Sequence, residues 1–290
     1  MYYFLSLLCG ILLAAMIPLN GGLADIFGLH SASVFIHITG LIIITAIILI
    51  KREKPFAKRQ AFYLYLGGAI GVLTVICNNL AFGRISVSAI LALLLVGQGI
   101  TGLAFDQFGW LGIPKHPFRK SRIFGLLLIV GGIVIMVDRF DFVAVSLSLV
   151  AGVITVISRT LNAKLADNTS IRVSTFFNYA VGLTVASAVC LALGRNEPIF
   201  SELAVSPDFY LYFGGTLGVC MILISNMIVT KVPAFYLSLL LFIGQVFTGI
   251  IIDVIIMQSF SIPILIGGVL VTAGLFTDII FNRKTIKPTK

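Results

Sequence analysis

Ten runs of about 20 mostly apolar residues follow one another along this chain, at 3–21, 30–50, 61–82, 86–107, 123–138, 142–162, 170–193, 209–230, 234–256 and 262–281. A helix needs roughly 20 residues to cross a bilayer core, and only helices and closed barrels satisfy their backbone there. Polar and glycine-rich stretches break the runs: Asn20-Gly21-Gly22, Lys51–Arg59, Gly109–Lys120, Asn168–Ser170 and Arg195–Asp208. Charge agrees, because 11% of the 290 residues are charged against about 25% in a soluble domain. The spacing predicts an all-α integral membrane protein of ten transmembrane helices. A soluble enzyme, a nucleic-acid-binding domain and a secreted disulfide scaffold are excluded as wholes. The first run lacks a basic leader and a small-residue cleavage site, so it reads as a helix rather than a signal peptide.

Basic residues set the orientation. With a cytoplasmic N-terminus, an even number of spans leaves only Arg84, Arg139 and Arg195 outside, out of 20 Lys and Arg. That split follows the positive-inside rule and predicts a multi-pass protein of the cell membrane with both termini cytoplasmic. The net charge of +9 then reflects cytoplasmic loops, not a nucleic-acid partner. Cys9, Cys77, Cys190 and Cys220 all fall inside apolar runs, where a thiol packs as a small hydrophobe. No Cys or His spacing suggests a metal.

The chain repeats itself. Asn20, Leu23, Ala24 and Asp25 return 142 residues later as Asn162, Leu165, Ala166 and Asp167. With an offset of 147, Phe62-Tyr63-Leu64-Tyr65 and Gly67-Gly68 return as Phe209-Tyr210-Leu211-Tyr212 and Gly214-Gly215. The same offset aligns Asn79 with Asn226, Gly97-Gln98 with Gly244-Gln245, Gly102 with Gly249, and Asp106 with Asp253. Apolar matches are cheap in membrane proteins; matched Asn, Gln, Asp and Gly in one order are not. Two five-helix repeats are expected, at 1–139 and 140–290. Five spans is an odd number, so the second repeat starts on the opposite face. Inverted-topology repeats are the plan of secondary transporters, which bind substrate at the repeat interface near the midplane.

This arrangement resembles the drug/metabolite transporter superfamily. The Asn20, Leu23, Gly28, Gly40 pattern and the Gly97, Gln98, Gly102, Asp106 pattern most resemble its YdcZ-like branch, in the fused ten-helix form. The resemblance covers about 3–281 and implies a transporter. The chain departs from the superfamily's small multidrug exporters, which carry a Glu in their first helix: residues 3–21 hold no acidic residue.

Polar residues at membrane depth are costly and usually face a bundle interior or cavity. Gln98 and Gln245 fall mid-helix and either read a polar substrate or join helices. Asn79, Asn226, His37, Asn178 and Tyr179 complete the candidate substrate-binding set, with Tyr179 the repeat partner of His37. His37 either packs or carries a proton, while Asp106 and Asp253 either couple an ion or sit as interface charges, with Arg122 a partner for Asp106. Asn20 and Asn162 read as helix-end caps. Arg159 either snorkels or binds an anion, and Trp110 reads as an interfacial anchor. Gly97, Gly102, Gly244 and Gly249 mark close helix packing. No Walker, HExxH or Ser/His/Asp pattern is present, so neither enzyme nor cofactor is expected.

The function expected is alternating-access transport of a small organic solute or metabolite, by a monomer or homodimer, with protons or another ion as a coupling partner. The alternatives are a lipid or lipid-linked-sugar flippase and an uncoupled channel.

Overall fold

The computed structural model describes residues 1–81, 84–85, 87–112, 115, 123–136, 141–197, 208–252, 254–255 and 261–281. Among these there is no β-strand. The α-helices are α1 (Tyr2–Phe27), α2 (Leu29–Ile50), α3 (Gly67–Ala81), α4 (Val87–Phe108), α5 (Ile123–Met136), α6 (Phe142–Asn168), α7 (Ile171–Leu193), α8 (Phe213–Ile228), α9 (Ala234–Ile252) and α10 (Ile262–Phe281). Short 3-10 turns at Phe62–Leu66 and Phe209–Tyr212 lead into α3 and α8. Seven helices are long and apolar enough to cross a membrane; Phe62–Asn78, Ile123–Met136 and Ile262–Gly274 are shorter apolar helices. Apolar side chains also cover outward faces. In α5, Gly125, Ile129, Gly132, Ile133 and Met136 are buried, while Phe124, Leu127, Val130 and Val134 on the opposite face are exposed. A soluble helix puts polar residues on that face, so this is a multi-pass membrane protein.

Two expected boundaries move. Helix α1 runs through Asn20-Gly21-Gly22 to Phe27, and α6 runs past Asn162 to Asn168. Asn20 and Asn162 are therefore interior residues, not end caps. Glycine costs a helix about 1 kcal/mol relative to alanine, and burial of Leu23 and Phe27 with Leu211 outweighs it. The turn comes at Gly28, whose φ of 89° is open to glycine and strained for other residues. Pro18 lies inside α1 and leaves the Ala14 carbonyl without its helical N–H.

Contacts divide the chain into two compact units. The first contains Met1–Ala14, Cys77–Val156 and Ile228–Lys290; the second contains Ala15–Ile76 and Ile157–Met227. Each draws on both sequence halves. Helices α1 and α6 pass from one unit to the other after Ala14 and Val156, positions 142 residues apart and, in α1, at the carbonyl that Pro18 leaves open.

In the first unit, glycines bring backbones together. A methyl on Gly97 would strike the Leu149 carbonyl, and one on Gly152 the Leu94 carbonyl, which packs α4 on α6. Likewise Gly10 lies against the Leu241 carbonyl and Gly244 against that of Leu7, packing α1 on α9. Between α5 and α10, Cβ positions built on Gly132 and Gly274 fall 2.6 Å from the carbonyl oxygens of Gly267 and Gly125.

In the second unit α2 packs along α7. Ile44, Ile48, Tyr179 and Val219 form its core, and Gly40 faces the Tyr179 ring while Gly182 faces His37. Gly67 and Gly68 at the start of α3 abut Asn162 and the Asn178 carbonyl. Gly214 and Gly215 at the start of α8 abut Asn20 and the Ile36 carbonyl.

Candidate functional site

Two sets of polar groups sit inside the helices. In the second unit, Asn162 Nδ2 donates to Asn178 Oδ1 at 2.7 Å, and Ser174 Oγ donates to the Asn162 carbonyl at 2.5 Å. Asn226 Nδ2 donates to Ser174 Oγ and Thr175 Oγ1 at 3.4 and 3.3 Å. The structure thus joins Asn178 and Asn226, both expected at a binding site, in one buried network across α6, α7 and α8. Neither Ser174 nor Ser158, whose hydroxyl donates to the Gly67 carbonyl at 2.7 Å, was singled out from sequence.

His37 and Tyr179, aligned by the repeat, meet edge to face with ring centroids 5.8 Å apart. His37 Nδ1 lies 2.7 Å from the Ser33 carbonyl, and the Tyr179 hydroxyl donates to the Gly215 carbonyl at 3.3 Å. The counterpart of Asn178 is Ile36, which offers no amide. Asn20 Oδ1, where Asn162 would find Asn178, is buried without a hydrogen-bond partner. The two halves have diverged at this point.

The first unit holds Gln98 on α4 and Gln245 on α9, each 5% exposed. Helices α4 and α9 pack together. Among the described residues neither glutamine side chain has a hydrogen-bond partner. Nearby hydroxyls are self-satisfied: Thr101 donates to the Gly97 carbonyl at 2.8 Å and Ser238 to the Ala234 carbonyl at 3.0 Å. Of the other candidates, the Asn79 side chain and Asp253 lie outside the described residues. So does Arg122, the expected partner of Asp106.

Asp106 has a different role from the shallow interface charge expected. It is 1% exposed, and its carboxylate oxygens accept from the backbone N–H groups of Ala234 and Phe235 at 2.9 and 3.1 Å. Those are orphan donors of the first turn of α9, and an anion suits a helix N-terminus. Gly102, one turn back, lets α4 approach: a Cβ there would lie 2.9 Å from the Phe235 nitrogen. Around its repeat partner Gly249, no described atom lies within 4 Å of a Cβ.

Two carboxylates outside the spans clasp the ends of α2 and α7. Glu197, after α7, accepts from the backbone N–H of His30 and Ser31 at 2.8 and 2.7 Å and from the Ser31 hydroxyl at 2.5 Å. Glu53, after α2, accepts from Ser170 Oγ at 2.6 Å and pairs with Arg172. Ser170 itself caps α7 through the Val173 N–H. Each helix is thus followed by a glutamate that reaches the start of the other. Neither glutamate was singled out from sequence; the signal was a Glu shortly after each of two repeat-related helices.

Burial alone would raise the Glu53 carboxyl. Its hydrogen bonds from Ser170 and Arg172 and the Arg172 charge outweigh that and hold it below the ordinary carboxylate value. A depressed value means stability present above the unfolded pKa and lost as pH falls through the folded one. The unfolding midpoint of the wild type is expected to exceed that of Glu53→Gln at pH 7. The gap should start to close near pH 4.3, about the unfolded value, and vanish below the folded one. A gap that widens on acidification would contradict this.

Comparison with known proteins follows this geometry. A family model described as "Putative inner membrane exporter, YdcZ" matches residues 1–135 and again residues 143–277. The chain belongs to this YdcZ family. The family's description is that of an exporter, which points to membrane transport. No curated protein sequence matches the chain. Several solved structures match, and one of them, a crystal structure, does so with a TM-score of 0.71 and 16% identity, over 98% of this chain and 96% of that one. At that identity the YdcZ-family chain shares its fold and nothing finer.

Proposed function

We propose that this YdcZ-family chain is a secondary transporter that moves a small organic solute across the cell membrane by alternating access. In this reading ten transmembrane helices form two inverted five-helix halves, 1–139 and 140–290, with both termini cytoplasmic. The observation that carries it is the duplication of contacts. The Gly97–Gly152 crossing of α4 on α6 is matched by the Gly244–Gly10 crossing of α9 on α1, residue for residue at offsets of 147 and 142. Gly67 on Asn162 and Gly214 on Asn20 form a second such pair. The family model's separate match to each half supports the same reading. Inverted repeats give a transporter two arrangements related by exchange of the halves.

Gln98 and Gln245 are the central binding residues, with Asn226, Asn178, Tyr179, His37 and Asn79 the further candidates. Of the coupling candidates, Asp106 is committed to α9, which leaves His37 and Asp253. The test is thermal stability of purified protein against a panel of metabolites, ions and lipids, since a ligand of the folded state raises the midpoint by mass action. A stabilising solute is then loaded into proteoliposomes. Faster uptake with solute inside supports a carrier. Uptake indifferent to internal solute indicates a channel, and stabilisation by lipids alone indicates a flippase.

A further inference from the structure

The surface at the end of α2 changes character within one residue. Leu49 and Ile50 close the helix with exposed apolar side chains, and exposed Lys51 and Arg52 follow directly. Lys54, Lys58 and Arg59 are exposed in the same loop. Five cations thus stand within nine residues, against one acid, Glu53, and that acid is taken by Arg172 at the start of α7. Positive charge beside a membrane helix is common; here the fold also fixes where it lies. Glu53 ties the loop to α7 through Ser170 and Arg172. The Phe56 ring meets Phe176 and Phe177 edge to face, with centroids 6.2 and 5.5 Å apart. Gln60 Oε1 accepts from Asn168 Nδ2 at 2.9 Å, and the Gln60 N–H donates to the Tyr65 hydroxyl at 3.1 Å.

An occupant must suit more than the charge. Phe56, Phe62 and Tyr63 flank the cations and are exposed, and aromatic rings beside a membrane helix settle at headgroup level. A free phosphate would match the cations and leave these rings, Leu49 and Ile50 uncovered. An anionic phospholipid matches both, with its phosphate at the cations and its chains along the last turn of α2. Clusters of about four to eight Lys and Arg beside a membrane helix attract such headgroups. The repeat-related loop, 194–208, carries one cation and three acids, so the cationic surface belongs to one copy of the repeat.

We propose that the loop at 51–59 is a binding surface for the headgroup of an anionic phospholipid. It depends on α2 lying in the membrane and not on the transport mechanism. The full-length protein, purified in detergent, is titrated with phosphatidylglycerol, phosphatidylcholine or sodium pyrophosphate while its unfolding midpoint is read. A ligand of the folded state raises that midpoint. Phosphatidylglycerol is expected to raise it by several degrees, and the other two to have little effect. Sodium chloride at about 0.5 M should erode the rise, because it screens exposed charges. Each Lys or Arg near an anionic surface is worth about fivefold in affinity, so Lys58→Gln/Arg59→Gln should need at least tenfold more phosphatidylglycerol for the same rise. Replacing all five cations with Gln should reduce phosphatidylglycerol to the level of phosphatidylcholine. Without lipid both variants should melt with the wild type, since the replaced side chains are exposed. The two-residue variant keeps three cations and decides the question if the five-residue one inserts poorly. Equal stabilisation by the two lipids would overturn the proposal, and so would a pyrophosphate effect as large as that of phosphatidylglycerol. An undiminished phosphatidylglycerol effect in the variants would also overturn it, and would move the lipid to the cargo position of a flippase. Loss of the lipid effect with solute counterflow intact would support both the surface and the transporter reading.

Discussion

Alanine at Gly97 or Gly152 is expected to lower the unfolding midpoint by several degrees, and alanine at Gly249 to leave it unchanged or slightly raised. A Cβ on either of the first two would press on a main-chain carbonyl of the facing helix, Leu149 or Leu94. A backbone cannot swing aside as a side-chain tip can. Overpacking of this kind costs about 1–3 kcal/mol, and helices must separate along their length to relieve it. Gly249 has no neighbour within reach of a Cβ among the described residues, so alanine there gains up to about 1 kcal/mol of helix propensity. The sharpest comparison is Gly102 with Gly249, repeat partners with opposite surroundings. Gly102→Ala should destabilise, since its Cβ would crowd the Phe235 nitrogen and Ala234 carbonyl carbon at 2.9 and 3.0 Å. Midpoints of the four purified variants in one detergent decide it; equal losses at positions 102 and 249 would contradict the asymmetry.

Removal of the Glu197 carboxylate is expected to unpin the start of α2. Three donors converge on it, two of them orphan N–H groups of the helix N-terminus, and the charge favours such hydrogen bonds. Loss of an N-terminal cap costs about 0.5–2 kcal/mol, and Glu197→Ala should fall in the upper part of that range. Hydrogen exchange should quicken at residues 30–33 and remain slow at 40–48, deep in the α2–α7 contact. Glu197→Gln, with one carbonyl acceptor, should be intermediate. Geometry supplies a repair: Ser31 Oγ lies 3.6 Å from Cys190 Sγ. In the Glu197→Ala background, Ser31→Cys should oxidise with Cys190 and slow exchange again. Failure to form that bond would place α2 and α7 differently.

Much of this architecture was legible in the sequence because lipid permits so little else. Apolar runs marked the helices, and duplicated Asn, Gln and Gly marked the positions where backbones now meet. His37 and Tyr179 were aligned by the repeat, but their ring contact is seen only in the fold. Reading failed where local chemistry and tertiary packing disagree. Asn20-Gly21-Gly22 has the composition of a turn, yet buried Leu23 and Phe27 keep it helical. Asp106 near a helix end looked like a solvated charge, and its use as a cap for α9 depends on a partner 128 residues away. Glu53 and Glu197 share a place shortly after repeat-related helices, but that place does not say what they touch. Only the fold brings each to the first turn of a helix from the other half.

The α5–α10 contact is self-complementary. Gly132 on Gly267 and Gly274 on Gly125 are related by an offset of 142, so exchanging the two helices turns one contact into the other. This is the isologous form of a two-fold dimer interface. Between separate chains such an interface obeys a second-order equilibrium and weakens as protein is diluted in the bilayer. Here both surfaces lie on one polypeptide, and tethering converts the encounter into an intramolecular one with a fixed effective concentration. The pairing is therefore independent of the protein-to-lipid ratio, and one copy in an otherwise empty membrane holds it as firmly as a crowded patch does.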